Sequence, residues 1–285
     1  MTNIAIIGGS GLYQMKDFEQ TDSVTIQTPF GDPSGPLIKG RFAGKSVVFL
    51  ARHGVGHKIS PSEINFRANI WALKSLGVKF IYSVSAVGSL REEIVPGHMV
   101  IVDQFFDRTK ARPSTFFENG IVAHVGFAEP FSKTLREHLI VACEKLGVPC
   151  HKKGTYVCME GPQFSTKAES EFYRLMKADV IGMTNLQEAK LAREAEMDYA
   201  TLALSTDYDC WHPHHDSVTT EQVLKVMHDN LANAQKILVE AVSRCEESRL
   251  PDCDGVLKNA IMTDRKLIND EIKTRLKPIV AKYFF

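Results

Sequence analysis

Two aspartates in the run Ser205-Thr206-Asp207-Tyr208-Asp209-Cys210-Trp211 have the residue type and spacing for chemistry. They follow Tyr199 to Leu204, a mostly small and apolar run that reads as a buried strand. If extended geometry continues through them, acids two residues apart point the same way at the edge of a sheet, where α/β enzymes bind ligands. Carboxylates beside a hydrophobic core are costly unless something engages them. A purine with a 6-amino group would do so. Its N–H donors suit one carboxylate, and its N7, more basic as the bond to a sugar breaks, suits a second acid that is protonated. The other reading is a turn whose acids cap a helix or face water, since Asp at strand ends is ordinary turn chemistry.

Anion chemistry recurs at other strand ends. Asn3 to Ile7 reads as a first strand, and Gly8-Gly9-Ser10-Gly11 follows at once. Glycines there let backbone N–H groups approach an anion, with the Ser10 hydroxyl as a further donor. The spacing is that of neither a dinucleotide fingerprint nor a P-loop, so free phosphate or sulfate fits it better. Ser46 to Ala51 ends in Arg52-His53-Gly54, and the planar fork of an arginine suits phosphate. Phe80 to Val84 runs into Ser85-Ala86-Val87-Gly88-Ser89, a second set of small donors. Gly154 to Met159 leads to Glu160-Gly161-Pro162-Gln163-Phe164, where Phe164 could stack on a flat base or simply anchor the loop. Asp179 to Met183 leads to Thr184, a hydroxyl donor after a soft apolar side chain. Ser10, Arg52 and Ser85 converge only if their strands are neighbours in one sheet, as consecutive βα units tend to be.

The elements that must position these groups are legible from caps and periodicity. Ser60-Pro61-Ser62-Glu63 reads as a helix start, with Ile64, Ala68, Trp71, Ala72 and Leu76 on one face and Asn65 and Arg67 off it. Met99 to Val102 is a strand, and 103–130, which holds Arg108, Arg112 and His124, is irregular, as functional or interface segments are. Lys133 to Leu146 is a helix, and Thr166 to Glu169 opens another by capping-box logic. Asn185 and Glu188 cap a third, and Thr219 to Gln222 start a long one with Val223, Met227, Leu231, Ala234, Leu238 and Val242 in its stripe. A polar helix is expected from Lys266 to Leu276, stopping before Pro278, and Tyr283-Phe284-Phe285 should pack on the body or cover a partner subunit.

Lys plus Arg and Asp plus Glu are both 34 in 285 residues, so no field for nucleic acid or an anionic membrane is implied. No apolar run is long enough to span a bilayer, and the early first strand leaves no room for a signal peptide. Six cysteines without C-x-x-C spacing read as free thiols in a reducing cytoplasm. His212-Pro213-His214-His215-Asp216 has metal-ligand residue types, but adjacent ligands on a Pro-containing loop rarely close a tetrahedron, so no metal is expected. The simplest organisation is an α/β single domain: 1–245 as the catalytic body and 246–285 as a helical extension packing on it or on a neighbouring subunit.

Taken together, Gly8-Gly9-Ser10-Gly11-Leu12, Arg52-His53-Gly54, Asn65-Phe66-Arg67-Ala68-Asn69, Gly88 to Glu93, Asp103-Gln104-Phe105, Glu160-Gly161-Pro162, Gly182-Met183-Thr184 and Ser205 to Trp211 resemble the trimeric purine nucleoside phosphorylase family, in its 5′-methylthioadenosine phosphorylase branch. The resemblance runs from about Asn3 to Val242 with the motifs in the same order. It implies a twisted mixed β-sheet flanked by helices, a cytoplasmic homotrimer, and attack of phosphate on the anomeric carbon of the nucleoside. Inorganic phosphate is then a co-substrate, with no metal or organic cofactor.

The resemblance also implies roles. Ser10, Arg52, His53, Ser85, Ala86 and Thr184 would bind phosphate, Met183 the ribose, and Phe164 the base. Asp207 and Asp209 would hold N7 and the 6-amino group. His124 would reach a neighbouring subunit's pocket near the 5′ group, and Val223 would help form its apolar wall. Relatives acting on 6-oxopurines carry Asn at the position of Asp207; an amino donor wants a carboxylate, an oxo acceptor an amide, so the acid pair favours adenine. Two positions depart from the common pattern. Asn185-Leu186-Gln187-Glu188 replaces a Thr-Val-Pro-Glu type of sequence, and Thr220 stands where an apolar residue is common, which would admit 5′-hydroxyl substrates better. The competing readings are a broader purine nucleoside phosphorylase acting on adenosine or inosine, a nucleosidase using water, and a non-catalytic nucleoside-binding protein. The last two would not need a three-part phosphate site.

Overall fold

The computed structural model describes residues 2–9, 12, 15, 17–213 and 220–284, and between 220 and 229 only the side chains of Val226 and His228. In chain order the elements are β1 (Ile4–Gly8), β2 (Glu19–Val24), β3 (Leu37–Phe42), β4 (Lys45–Ala51), α1 (Phe66–Ser75), β5 (Phe80–Ser89), β6 (Met99–Ile101), β7 (Gln104–Arg108), α2 (Lys133–Leu146), β8 (Cys150–His151), β9 (Thr155–Met159), α3 (Lys167–Leu175), β10 (Val180–Gly182), α4 (Asn185–Glu194), β11 (Asp198–Asp207), α5 (Thr220–Arg244), α6 (Asp270–Arg275) and α7 (Lys277–Phe284).

All the strands join one mixed sheet. Its centre is parallel: β4, β1, β5 and β11 pair in that order, with Gly8 opposite Ala51, Ile7 opposite Ser83, and Ala203 opposite Ser85. Their carboxyl ends therefore line one edge. β10 pairs antiparallel with the far end of β5, Ile181 opposite Gly88, so its own end runs back toward Ala86 and Ser85.

Alternation along the central strands divides the core. Ile4 and Ile6 of β1 join a cluster with Leu135 and Leu139 of α2 and Leu238 of α5. Ala5 and Ile7 join the opposite face with Ile70 of α1, Leu186 of α4, and Leu257 and Ile279 beyond residue 246. Strands covered on both faces read as nearly continuous apolar runs, as β1 and β11 do.

Several sequence expectations need correction. The Ser60 to Glu63 segment is a single turn, in which Glu63 does bond back to the Ser60 N–H. The helix itself starts at Phe66, capped by the Asn65 side chain on the Ala68 N–H, and it buries Phe66, Ile70 and Leu73, leaving Trp71 half-buried. Off the buried face of this helix, Asn65 also donates to Phe30 O, and Arg67 pairs with Glu118. The stretch 103–130 is not wholly irregular, since β7 pairs with β9. Polar β2, exposed along its length, and β3 gave no sufficient period. β5 does not stop at Val84; β10 and β11 keep it extended to Ser89. Pro278 lies inside the first turn of α7, where its missing N–H has no helical acceptor anyway. Tyr283 and Phe284 pack on the body, and the Tyr283 hydroxyl bonds Glu196. Phe285 lies outside the described residues.

Candidate functional site

The carboxyl edge of the parallel strands brings Arg52, His53, Ser85, Ala86, Met183, Thr184, Asp207 and Asp209 onto adjoining strand ends. The two acids do not get there by continued extension. β11 slips register between Ser205 and Asp207, and Asp209 takes φ +51°, a left-handed turn. Both nevertheless converge on Gly88. A Cβ there would lie 2.9 Å from Asp207 Oδ1 and 3.4 Å from Asp209 Cβ, so a larger residue would have to displace the Asp207 carboxylate. Asp207 accepts the Asp209 N–H on Oδ1 at 2.8 Å and the Thr206 hydroxyl on Oδ2 at 2.7 Å. Burial pushes the pKa of each carboxyl above its usual range, and for Asp207 the neighbouring Asp209 charge adds to this. That is the condition a carboxyl needs to donate a proton near neutrality.

Beneath the acid turn, Trp211 donates to Ser89 O at 2.7 Å, and Arg174 stacks 3.6 Å over its indole. The Cys210 thiol bonds Ser165 O. This ties the acid turn to the loop that carries Phe164, whose ring is 48% exposed and open to a planar partner.

At the end of β4, Arg52 is delivered into full burial. Its Nε and Nη2 grip Glu188 at 2.5 and 3.1 Å, Nη2 also donates to Ser83 Oγ, and Nη1 donates to Val84 O. Burial disfavours the charged guanidinium, but the Glu188 carboxylate more than offsets it and holds Arg52 ionised. Of five N–H donors, one on Nη1 remains uncommitted among the described residues. Glu188 is thus not a helix cap. It is 1% exposed and also accepts from Ser83 and the Tyr199 hydroxyl. Asn185 is no cap either; it is fully buried and bonds Ser83, Tyr199 and Thr201. Sequence reading missed this network because its members sit on α4, β5 and β11, far apart in the chain.

Thr184 is the N-cap residue of α4, yet its hydroxyl makes no capping bond, which leaves it available at a helix N-terminus. Its N–H donates to the Tyr156 hydroxyl at 3.4 Å. His53 Nδ1 lies 2.9 Å from Ile59 O, so this nitrogen carries the proton and Nε2 is the acceptor. Burial and the adjacent Arg52 lower the pKa of His53 to about 4, so it is neutral at physiological pH. Ser85 is buried beside Ala86, whose carbonyl it bonds.

Met183 meets the Phe164 loop directly. A Cβ on Gly161, at φ +68°, would lie 2.5 Å from Met183 Sδ. Arg112, which the sequence left without a role, holds these two segments together: it donates to Met183 O, to Glu160 O and to the Glu160 carboxylate. His124 is not part of this gathering. It is exposed, and its N–H bonds Ala260 O. Ser10 and the side chain of Val223, like Thr219 and most of the His212 to Asp216 run, lie outside the described residues. The six cysteines are unbridged, and no cluster of three metal-ligating groups occurs among the described residues. A cavity of about 810 Å³ lined by Glu93, Asp103, Arg136, His151, Lys152 and Asp179 belongs to the amino ends of β9 and β10, away from the acid pair.

Comparison with known proteins accords with this geometry. The phosphorylase superfamily model matches residues 3–243. The S-methyl-5′-thioadenosine phosphorylase of Koribacter versatilis (strain Ellin345) is 55% identical over 281 residues, covering 99% of this chain and 96% of the relative. A methylthioadenosine phosphorylase structure from an antarctic soil metagenomic library superposes with a TM-score of 0.92 at 50% identity, covering 98% of both chains. A single-residue variant of the adenosine/methylthioadenosine phosphorylase of Schistosoma mansoni, in complex with methylthioadenosine, gives a TM-score of 0.86 at 34% identity, covering 94% of this chain and 100% of that one. The chain belongs to the phosphorylase superfamily and, within it, to the S-methyl-5′-thioadenosine phosphorylase family.

Proposed function

We propose that this protein catalyses the phosphorolysis of 5′-methylthioadenosine to adenine and 5-methylthioribose 1-phosphate. The observation that carries the reading is the placement of two carboxyls whose pKa values burial raises, Asp207 and Asp209, at the same sheet edge as an ionised Arg52 and the uncapped Thr184 hydroxyl. Full-length relatives of half-identical sequence carry the name of that activity.

As the C–N bond breaks, the ribosyl group becomes cationic and the base becomes anionic. An enzyme gains by setting phosphate against the first and a proton donor against the second. Asp207, protonated, donates to N7, and Asp209 accepts from the 6-amino group. Ser10, Arg52, His53, Ser85, Ala86 and Thr184 bind phosphate. The neutral His53 offers Nε2 as an acceptor for the phosphate hydroxyl. Met183 lies against the ribose and Phe164 against the base, while Val223 and a neighbouring subunit's His124 close on the 5′ group. The exposure of His124 suits that last role in a homotrimer. The reaction needs phosphate as co-substrate and no metal or organic cofactor, and it suits the cytoplasm. Residues 1–245 form the catalytic body, and 246–285 an extension packed on it.

Release of purine from 5′-methylthioadenosine, adenosine, inosine and methylthioinosine, each with and without phosphate, tests the proposal. Phosphate-dependent adenine release fastest from methylthioadenosine is expected. Phosphate-independent release would mean a hydrolase, and no release a binding protein.

A further inference from the structure

Arg112 sits in the segment between β7 and α2, and its side chain is 2% exposed. A buried guanidinium is retained only if its donors are used. Here its three nitrogens span two pieces of the nucleoside pocket, two of them on Glu160 and the third on Met183. Nε donates to Glu160 Oε1 at 3.1 Å, Nη2 to Glu160 O, and Nη1 to Met183 O, with longer contacts to Gln187 Oε1 at 3.4 Å and Ser62 Oγ at 3.3 Å. Glu160 and Met183 follow the carboxyl ends of β9 and β10, and each is the first residue of its loop. One loop carries Phe164 and reaches the acid turn through Ser165; the other is the ribose platform. Glu160 is fixed in turn by the Ser62 hydroxyl and, at 2.5 Å, the Lys110 N–H. Gly161 and Met183 are already in contact, so the spacing of the two loops has no slack on that side.

We infer that Arg112 is a positioning residue that sets the distance between the base-binding loop and the ribose-binding strand end, and so tunes nucleoside binding without touching substrate. The inference rests on the nucleoside roles proposed for Phe164 and Met183. A lysine at this position keeps the charge but has one nitrogen in place of three, and cannot hold both carbonyls and the carboxylate.

The test is steady-state kinetics with methylthioadenosine and phosphate, each varied, together with thermal melting, for the parent protein, Arg112→Lys and Glu160→Gln. Arg112→Lys should raise the nucleoside KM about tenfold, the scale of losing a charge-assisted bond, while the phosphate KM stays within about twofold. Glu160→Gln keeps the Glu160 carbonyl and should give a smaller rise of the same kind. Lower activity in proportion to lost folded protein, with both KM values unchanged, would overturn the inference. So would equal rises in both KM values. If Arg112→Lys does not fold, an unaltered nucleoside KM in Glu160→Gln overturns it alone. Absence of phosphate-dependent adenine release from the parent protein would instead sink the functional reading beneath it.

Discussion

Asp207 and Asp209 reach the same glycine by different backbone routes, one from a strand end and the other from a left-handed turn. Their types and spacing were legible in the sequence; the bulge was not, because an irregular step leaves no periodic trace. Their raised pKa values come mainly from burial, which depends on what β5, β10 and α3 place around them. Asp207→Asn keeps the shape but removes the proton, so turnover of methylthioadenosine should fall at least about a hundredfold, within the range for loss of a general acid. Any residual activity should lean toward 6-oxopurine nucleosides, measured as the ratio of adenine to hypoxanthine release. Full activity would show that the proton comes from elsewhere. Arg52 illustrates the opposite case. Its suitability for an anion is plain from its position after a strand, yet four of its bonds go to protein groups, and nothing local in the sequence points to Glu188 as their chief recipient.

Among the elements, those with a strong local signal were legible: α2 matches Lys133 to Leu146, and α3 opens with the Thr166 and Glu169 capping box. The start of α1 was not, since Ser60 and Asn65 both offer cap chemistry and the choice is made by Phe66 and Ile70 entering the core. β10 is short and gains its meaning from neighbours. At Gly182 a Cβ would lie 2.1 Å from the Tyr156 hydroxyl, the same group that receives the Thr184 N–H. Gly182→Ala must therefore displace Tyr156 or the strand end, at a cost of about 1–3 kcal/mol typical of overpacking. A lower melting temperature accompanied by a raised phosphate KM is expected. An unchanged phosphate KM would detach Thr184 from the anion site.

For the molecule as a whole, an ionisable group outside the site links stability to pH. Glu194 at the end of α4 holds the Thr115 hydroxyl and the Phe116 N–H, and burial raises its pKa from 4.5 to about 7. Between these values the folded chain keeps a proton that the unfolded chain has released, so the stabilisation present below pH 4.5 is lost as pH rises through about 7. Glu194→Gln cannot titrate. Its melting temperature should fall less than the parent's over this window, and parallel curves would disprove the assignment.

The parallel pairing of β5 with β11 joins Phe80 to Asp198, more than a hundred residues apart, and β11 in turn pairs with β6. Contacts so distant along the chain are late and slow to form. During synthesis β5 must wait, one long edge open, until β11 has emerged. Its middle carries Ser83 and Ser85, whose hydroxyls interrupt an otherwise apolar and adhesive run. Ser83, whose hydroxyl receives Arg52 in the finished protein, is thus one of two that break up this run in the unfinished one, and recovery of activity on refolding should lag behind recovery of helix.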